Sequence, residues 1–591
     1  MKKILLCVIL LTLFTPKIKA DEGMWLPIFI ERLQNVDLEK MGLKLSPEEI
    51  YSVNNSSLKD AIVSFNGYCT GEVISKNGLL LTNHHCGFDA IQNHSTVEND
   101  LLENGFWAQN KSEELSNPGF YVDFLIKMED VTSLVIDDVV LGASDPNARD
   151  EAINSNINTI KTSQGLSGTE WVEVKSFFGG NEYYLFVYER FNDVRMVGAP
   201  PSSIGKYGGD TDNWMWPRHT GDFALFRVYM SPDGSGAEFS EENIPLEPKH
   251  HLPISLKGVE KEDFTMVFGY PGSTQRYLSS FGVKQALDKY NPTFVEIRTD
   301  VLEVLNKYMS EDPEIKIKYA SKKARVSNYW KYFIGQSKGL KALNVYDKKV
   351  KQEKEFTDYV NSSEKNKELY GNVLSDMEAA YKMLDEIVVP QVAIFEGGWR
   401  AADAISFSRS ANSLLKALED GDSESIEAAT ASLKESANEF FKEYDQVVDQ
   451  KLFAAGMSAY YSISPKEYVP KIIIDAMDKY KCAPKWAKKT YKKSIFVNKE
   501  RFMSFLENPT AKKIKNDPVF KIQSGIIDFY RNTLSPISFE AESKLMNAER
   551  LLIKALREMY PDGDFYSDAN FTMRMTYGTV NSYIAADAVT Y

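Results

Sequence analysis

The segment Cys69–Cys86, CTGEVISKNGLLLTNHHC, constrains the fold more than any other stretch of this chain. Gly71–Ser75 has the composition of a strand, Asn77-Gly78 follows, and Leu79–Thr82 is a second short apolar run. Asn-Gly suits a two-residue hairpin because both central positions require positive φ. The hairpin then delivers His85 to the end of its second strand. Cysteines bracket it, and a bridge between Cys69 and Cys86 would hold His85 in a fixed frame; two buried free thiols are the alternative. A histidine held rigidly at a strand end suits a general base, which is selected first by where its ring sits and only then by its pKa. His84 and His85 are adjacent, so on a strand they face opposite ways and are not two ligands of one metal.

The N-terminus, MKKILLCVILLTLFTPKIKA, reads as a secretory signal peptide over residues 1–20. Lys2 and Lys3 form the basic start, Ile4–Phe14 the apolar stretch, and Ala20 precedes Asp21, although Ile18 stands where a small residue is preferred. The apolar stretch is too short to span a bilayer, and no other run approaches that length. The expectation is a periplasmic or secreted protein with no membrane span. Export favours the Cys69–Cys86 bridge; Cys7 leaves with the leader and Cys482 is left over. The formal charge is −14, and the leader holds Lys2, Lys3, Lys17 and Lys19 and no acid, so its removal leaves the chain more acidic still. Such a chain repels phosphate backbones, and nucleic acid is a poor partner.

Residues 21–275 carry short apolar or alternating runs: Asp60–Phe65, Tyr121–Met128, Glu182–Tyr188, Phe223–Met230 and Asp263–Phe268. Dense turn signals at Pro200-Pro201, Gly208-Gly209, Asp233-Gly234 and Pro271-Gly272 punctuate them, the texture of a barrel or sandwich. Residues 276–558 change to Lys/Glu/Ala/Leu-rich sequence with helical spacing, clearest in Lys367–Val389, Ala411–Leu418 and Ser423–Phe441. After Asp562-Gly563 the alternation returns at Asn570–Tyr577. A lone strand pair cannot bury its apolar face. Residues 559–591 are therefore expected to pair back onto the first β region, with 276–558 as an all-α insertion in an α+β multidomain fold.

His85 needs an orienting carboxylate. Asp222, in NWMWPRHTGDFALFRVY (Asn213–Tyr229), leads into an apolar strand and is the best candidate. There it could hold one imidazole tautomer and stabilise its cation, against the plainer reading of a turn aspartate. No H-E-x-x-H, zinc spacing or Gly-rich phosphate loop occurs, so no metal and no cofactor is called for.

Three segments, TGEVISKNGLLLTNHHCG (Thr70–Gly87), NWMWPRHTGDFALFRV (Asn213–Val228) and GYPGSTQRY (Gly269–Tyr277), resemble the bacterial dipeptidyl-peptidase 7 and dipeptidyl-peptidase 11 family, and the resemblance runs over essentially all of residues 21–591. It implies a periplasmic or surface serine exopeptidase with a chymotrypsin-like double β-barrel, an inserted helical domain and pairing as a homodimer. By the same resemblance His85 is the general base and Asp222 orients it. Asn213 and Trp214, with Asn328 from SNYW (Ser327–Trp330), hold the free amino terminus of a peptide substrate. The chemistry is coherent: amide oxygens can accept from an ammonium, and an indole face attracts a cation. Core packing for Trp214 and a helix cap or surface position for Asn328 are the plainer alternatives.

The resemblance places the nucleophile in a Gly-Asn-Ser-Gly-type loop C-terminal to the helical domain, and no such loop precedes Tyr591. The expectation is a second barrel left incomplete and a chain inactive as it stands, with an incomplete gene sequence weighed above a natural truncation. Gly335-Gln336-Ser337-Lys338-Gly339 matches G-x-S-x-G, but it sits in helical texture and follows both partners in order, so Ser337 is read as surface or loop. Two other functions compete: a pseudo-enzyme that grips peptide N-termini without cutting, and a trypsin-like endopeptidase, which the large insertion argues against.

Overall fold

The structure, a computed structural model, describes residues 22–32, 38–143, 145–586 and 589–590. The leader read at residues 1–20 lies outside them. An antiparallel sheet of eleven strands forms the first layer. Its path runs from Asp193–Ala199 through Ala224–Met230, Leu79–Thr82, Cys69–Val73, Ile62–Phe65 and Val122–Asp130 to Glu182–Phe191 and Glu170–Phe177.

The hairpin at the centre of this sheet forms, but not on the expected two-residue turn: the Ile74 N–H donates to the Leu79 carbonyl at 2.8 Å across the four residues Ser75–Gly78, and of the Asn77-Gly78 pair only Gly78 is at positive φ. Gly78 has φ +63°, and a Cβ there would lie 2.8 Å from the Val228 carbonyl oxygen. Leu80 and Val73 are fully buried beside Phe65 and Phe226, whose rings lie 5.1 Å apart. Burying each such side chain is worth about 1.5–3 kcal/mol, which pins the register: a slip by one residue would turn Leu80 to solvent. Leu81 pairs with Leu225 and Thr82 with Ala224, so the ends of two strands lie side by side. That pairing carries residues 85 and 222 to the same edge of the sheet.

Helices from Ser280 to Met559 form the second part. Phe407 and Phe440 stack at 4.0 Å, and Phe453 meets Trp486 edge-on at 5.0 Å, within one large helical core. A second core is shared between the parts. Met377, Tyr381 and Leu552 from the long helices Val373–Ala393 and Ser535–Met559 pack with Phe177, Phe186 and Tyr188 of the sheet. On the far side of the helices the chain returns: Arg574–Thr579 pairs antiparallel with Phe264–Gly269, from Gly269 opposite Arg574 to Phe264 opposite Thr579. The fold is thus mixed, with strands on both sides of a large helical segment. No described helix is long and apolar enough to cross a membrane.

Several elements differ from the sequence expectation. Lys367–Val389 is not one helix: Glu364–Tyr370 ends where the Gly371 amide donates to the Lys367 carbonyl, and Val373–Ala393 starts afresh. The continuous strand of the returning segment begins only at Arg574, after an isolated bridge from Asn570 to Ser273, because Phe571 sits at φ +61° and breaks the alternation. Ser337 lies inside the helix Ala320–Ala342, not in a loop, and accepts from Asn291 Nδ2 at 3.0 Å.

Candidate active site

His85 follows the strand Leu79–Thr82 and Asp222 precedes Ala224–Met230, so their proximity is a consequence of strand pairing. His85 Nδ1 lies 2.8 Å from Asp222 Oδ2, and the His85 backbone N–H donates to Asp222 Oδ1 at 3.1 Å. One carboxylate therefore holds both the ring and the main chain of a single residue. Asn83 Nδ2 donates to the Asp222 carbonyl at 3.1 Å, which ties the two strand ends a third time. The Asp222 side chain is 17 % exposed while that of His85 is 68 % exposed. Burial raises the Asp222 pKa, but donation from His85 outweighs it and holds the carboxyl below its ordinary range. An ionised acceptor at Nδ1 fixes the tautomer and leaves Nε2 as the nitrogen free to accept a proton. Nε2 has no hydrogen-bond partner among the described residues.

The frame around this pair is tight. Cys69 and Cys86 are bridged, with Cα atoms 6.2 Å apart. Neighbouring His84 points inward at 1 % exposure, meets Phe88 edge-on at 5.7 Å, and has a buried Nε2 without a partner. A Cβ at Gly205 would fall 2.3 Å from the His84 ring, so that position has room only for glycine. Burial pushes the His84 pKa down to about 4. Donors at Cys69, His85 and Cys86 lie within 4.8 Å of one another. Both sulfurs are spent in the bridge, however, and it is the thiolate that binds a metal.

A second cluster joins the sheet part to the helical part. Asn328, on the helix Ala320–Ala342, accepts at Oδ1 from Asn213 Nδ2 at 2.9 Å and from Trp214 Nε1 at 3.0 Å. Trp214 sits at φ +57°, about half exposed, with its ring edge-on to Tyr332 at 5.0 Å. The three residues singled out in sequence thus meet, with one difference from the expected chemistry. Asn328 Oδ1 is already taken by two donors. The amide oxygen left for an ammonium is Asn213 Oδ1, which has only a long 3.4 Å contact from Arg218.

Arg218, Tyr332 and Asp210, which receives Ser327 Oγ at 3.1 Å, were not legible as members of this cluster. The one available signal was helical spacing, which puts Tyr332 one turn from Asn328 on the same face. A depression of about 450 Å³ lined by Ile204, Tyr207, His219 and Thr220 opens next to Gly221, one residue before Asp222.

Comparison with known proteins accounts for nearly the whole chain. The sequence profile of the Peptidase S46 family matches residues 20–591. An Asp/Glu-specific dipeptidyl-peptidase of Flavobacterium psychrophilum is 41 % identical over 585 residues, covering 98 % of this chain and 81 % of that protein. A dipeptidyl-peptidase 7 of Capnocytophaga gingivalis is 38 % identical over 569 residues, 96 % of this chain and 78 % of that one. Among solved structures, DPP11 of Porphyromonas endodontalis in complex with the dipeptide Arg-Glu superposes with a TM-score of 0.86 at 32 % identity, over 97 % of this chain and 82 % of that one.

Proposed function

This chain belongs to the Peptidase S46 family, and from that premise we propose that it serves a secreted serine-type dipeptidyl peptidase, which removes two residues at a time from the free N-terminus of a peptide. The observation that carries the proposal is the double grip of Asp222 on His85, through Nδ1 at 2.8 Å and through the main-chain N–H at 3.1 Å. In this reading His85 Nε2 takes the proton of a serine hydroxyl as the hydroxyl attacks the scissile carbonyl. It then returns that proton to the leaving amine, and water repeats the cycle on the acyl-enzyme. Asp222 stays ionised and steadies the imidazolium. Asn213, Trp214 and Asn328 form the amine cradle that sets the count of two residues, and the Cys69–Cys86 bridge suits an exported protein.

No described hydroxyl hydrogen-bonds Nε2. In this reading these residues supply the base, the orienting acid and the amine cradle. The same observation favours a second reading, a pseudo-enzyme that only binds. The test uses the 591-residue chain and the same gene expressed to its natural stop codon. Released fragments are read by mass spectrometry on peptides with free and with acetylated N-termini. The peptidase reading expects dipeptides from free peptides only. Equal cleavage of both peptides would overturn the amine-anchored mechanism. Binding of free peptides with no turnover by either product would leave the pseudo-enzyme.

A further inference from the structure

The helical part contains a cavity of about 840 Å³ that shares no lining residue with the His85–Asp222 pair or the amine cradle. It is built by local departures from α-helical geometry. The helix Val373–Ala393 widens into a π-helical segment at Ile394–Arg400, and Pro518–Phe529 widens likewise at Tyr530–Leu534. A π turn inserts an extra residue at a cost in packing, and such turns are retained mostly at functional sites. Two of the three π-helical segments among the described residues border this one cavity. Each contributes a ring, Phe395 and Tyr530, which meet edge-on at 4.8 Å and form an apolar wall.

The rest of the lining is mostly polar; Ser406 and Ser410 donate their hydroxyls to the carbonyls of Trp399 and Phe407, but the charged groups are not ion-paired among the described residues. Arg409 and Arg531 make no ion pair among the described residues; Arg409 has only the Trp399 ring, at 5.8 Å. Asp528 also has no ion pair there, although it lies three residues from Arg531. The contrast with Glu396, also in a π segment, is direct: its two carboxylate oxygens are both taken, by Arg298 and Arg400 at 2.8 Å each. Gln523 lines the cavity at 3 % exposure. Its only side-chain hydrogen bond is one accepted from Ser524 Oγ at 3.4 Å, so its amide nitrogen donates to nothing. The helix Ala411–Asp420 begins at the rim, at Asn412 and Ser413, and adds partial positive charge.

The lining therefore offers two guanidinium groups, one carboxylate, an amide donor and an apolar wall. Guanidinium forks match carboxylates in a bidentate way. The complementary ligand carries two carboxylates, one ammonium and a short apolar stem, and cavities of about 300–1,000 Å³ suit molecules of that size. We propose that this cavity is a second peptide site, which binds a free dipeptide containing an acidic residue. The cavity's chemistry alone selects this ligand; that the same class of molecule is released by the proposed reaction rests on the reading above. Arg409 and Arg531 hold the two carboxylates, Asp528 takes the terminal ammonium, and Gln523 donates to the peptide carbonyl.

Isothermal titration calorimetry on the 591-residue chain tests this without any hydrolysis. The probes are Ala-Glu, N-acetyl-Ala-Glu, Ala-Ala and inorganic phosphate. The proteins are wild type, Arg409→Gln/Arg531→Gln, Asp528→Asn, and Asn213→Ala/Trp214→Ala, which silences the cradle. Ala-Glu binding is expected to survive in the cradle variant and to weaken about tenfold or more in the double arginine variant, the equivalent of about 1.4 kcal/mol. It should also weaken on N-acetylation and in Asp528→Asn. Arg409, Asp528, Arg531 and Trp214 are exposed and Asn213 is half-buried, and unchanged thermal unfolding of each variant verifies that the loss is local. An affinity unaffected by the arginine substitutions would overturn the proposal, as would binding that vanishes in the cradle variant. Phosphate binding as tightly as Ala-Glu, with no response to Asp528→Asn, would reduce the cavity to a bare anion site and overturn it too.

Discussion

Two adjacent histidines divide by environment. His85 is mostly exposed and held by Asp222; His84 is sealed between Phe88 and Gly205. Replacing Asp222 by Asn keeps the shape but substitutes a neutral amide whose NH2 can donate to Nδ1, which selects the wrong tautomer. We expect Asp222→Asn to move the proton of neutral His85 from Nδ1 to Nε2, read from the ring 15N shifts; shifts identical to wild type would show that Asp222 does not orient the ring. His84 has the larger effect on stability. Burial favours its neutral form in the folded state, with a pKa of about 4 against 6.5 when unfolded. The unfolded chain therefore takes up the proton first, and stability falls as pH drops from 6.5 towards 4, by about 3 kcal/mol in all. Glu72 and Glu549, both raised to about 7 by burial, titrate with opposite sign in the same window. The measurement is therefore a difference: His84→Gln minus wild type, by urea unfolding at pH 7 and pH 4.5, where the variant should lose less on acidification. The motif around residues 84–86 singles out His85 and its bridge readily. It says nothing of the sealed partner beside it, because that role depends on Gly205 and Phe88, which only the fold brings there.

Elements show the same division between local pattern and tertiary contact. The hairpin was legible because two apolar runs and two cysteines flank a turn signal, but its four-residue loop, with Gly78 alone of the Asn77-Gly78 pair at positive φ, was not. Its bridge closes a separation of 17 residues, and a loop of that size is worth about 3 kcal/mol. Cys69→Ser/Cys86→Ser should lose roughly that in denaturant unfolding, whereas a loss near zero would mean that the strand pairs fix His85 unaided. The π-helical segments were not legible, since Lys/Glu/Ala/Leu spacing reads as plain helix throughout. Their reason is tertiary. In Ile394–Arg400, Glu396 reaches Arg298, whose other nitrogen donates to the carbonyls of Arg325 and Val326 at 3.3 and 3.1 Å. Those carbonyls lie directly before Ser327 and Asn328, so the ion pair helps to set the helix that carries the cradle. Burial pushes the Arg298 pKa down, with Glu396 opposing. Glu396→Ala leaves this arginine buried without its carboxylate and should cost about 3–5 kcal/mol, while Arg298→Met/Glu396→Met should be close to neutral. Comparable losses in both variants would show that packing, not charge, maintains the segment.

At the scale of the whole molecule, the change of texture near Gly272 and its reversal near Asp562 pointed to strands on both sides of a helical block, and the pairing of Phe264–Gly269 with Arg574–Thr579 has that form. What composition could not reveal is how the returning strand is locked. Arg574 is buried and makes five hydrogen bonds: to Thr572 Oγ1, to the carbonyls of Met24, Ser567 and Asp568, and to Asn570 Oδ1. Its guanidinium lies 4.9 Å from the centre of the Phe177 ring. No carboxylate forms an ion pair with it among the described residues, and burial lowers its pKa to about 10. The neutral acceptors offset the desolvation only because the planar fork reaches all of them at once. Lysine has three donors on one atom and cannot span that set. Arg574→Lys should therefore expose the contacts that join the N-terminal segment at Met24, the loop at 567–570 and the sheet at Phe177. The helical core around Phe407 and Phe453 shares none of these bonds and should melt as before. Limited proteolysis followed by mass spectrometry separates the two outcomes. Cleavage in 562–573 should appear at protease levels that leave wild type intact, with the helical fragment persisting. Simultaneous loss of both regions would show that the returning strand and the helical block unfold as a single cooperative unit.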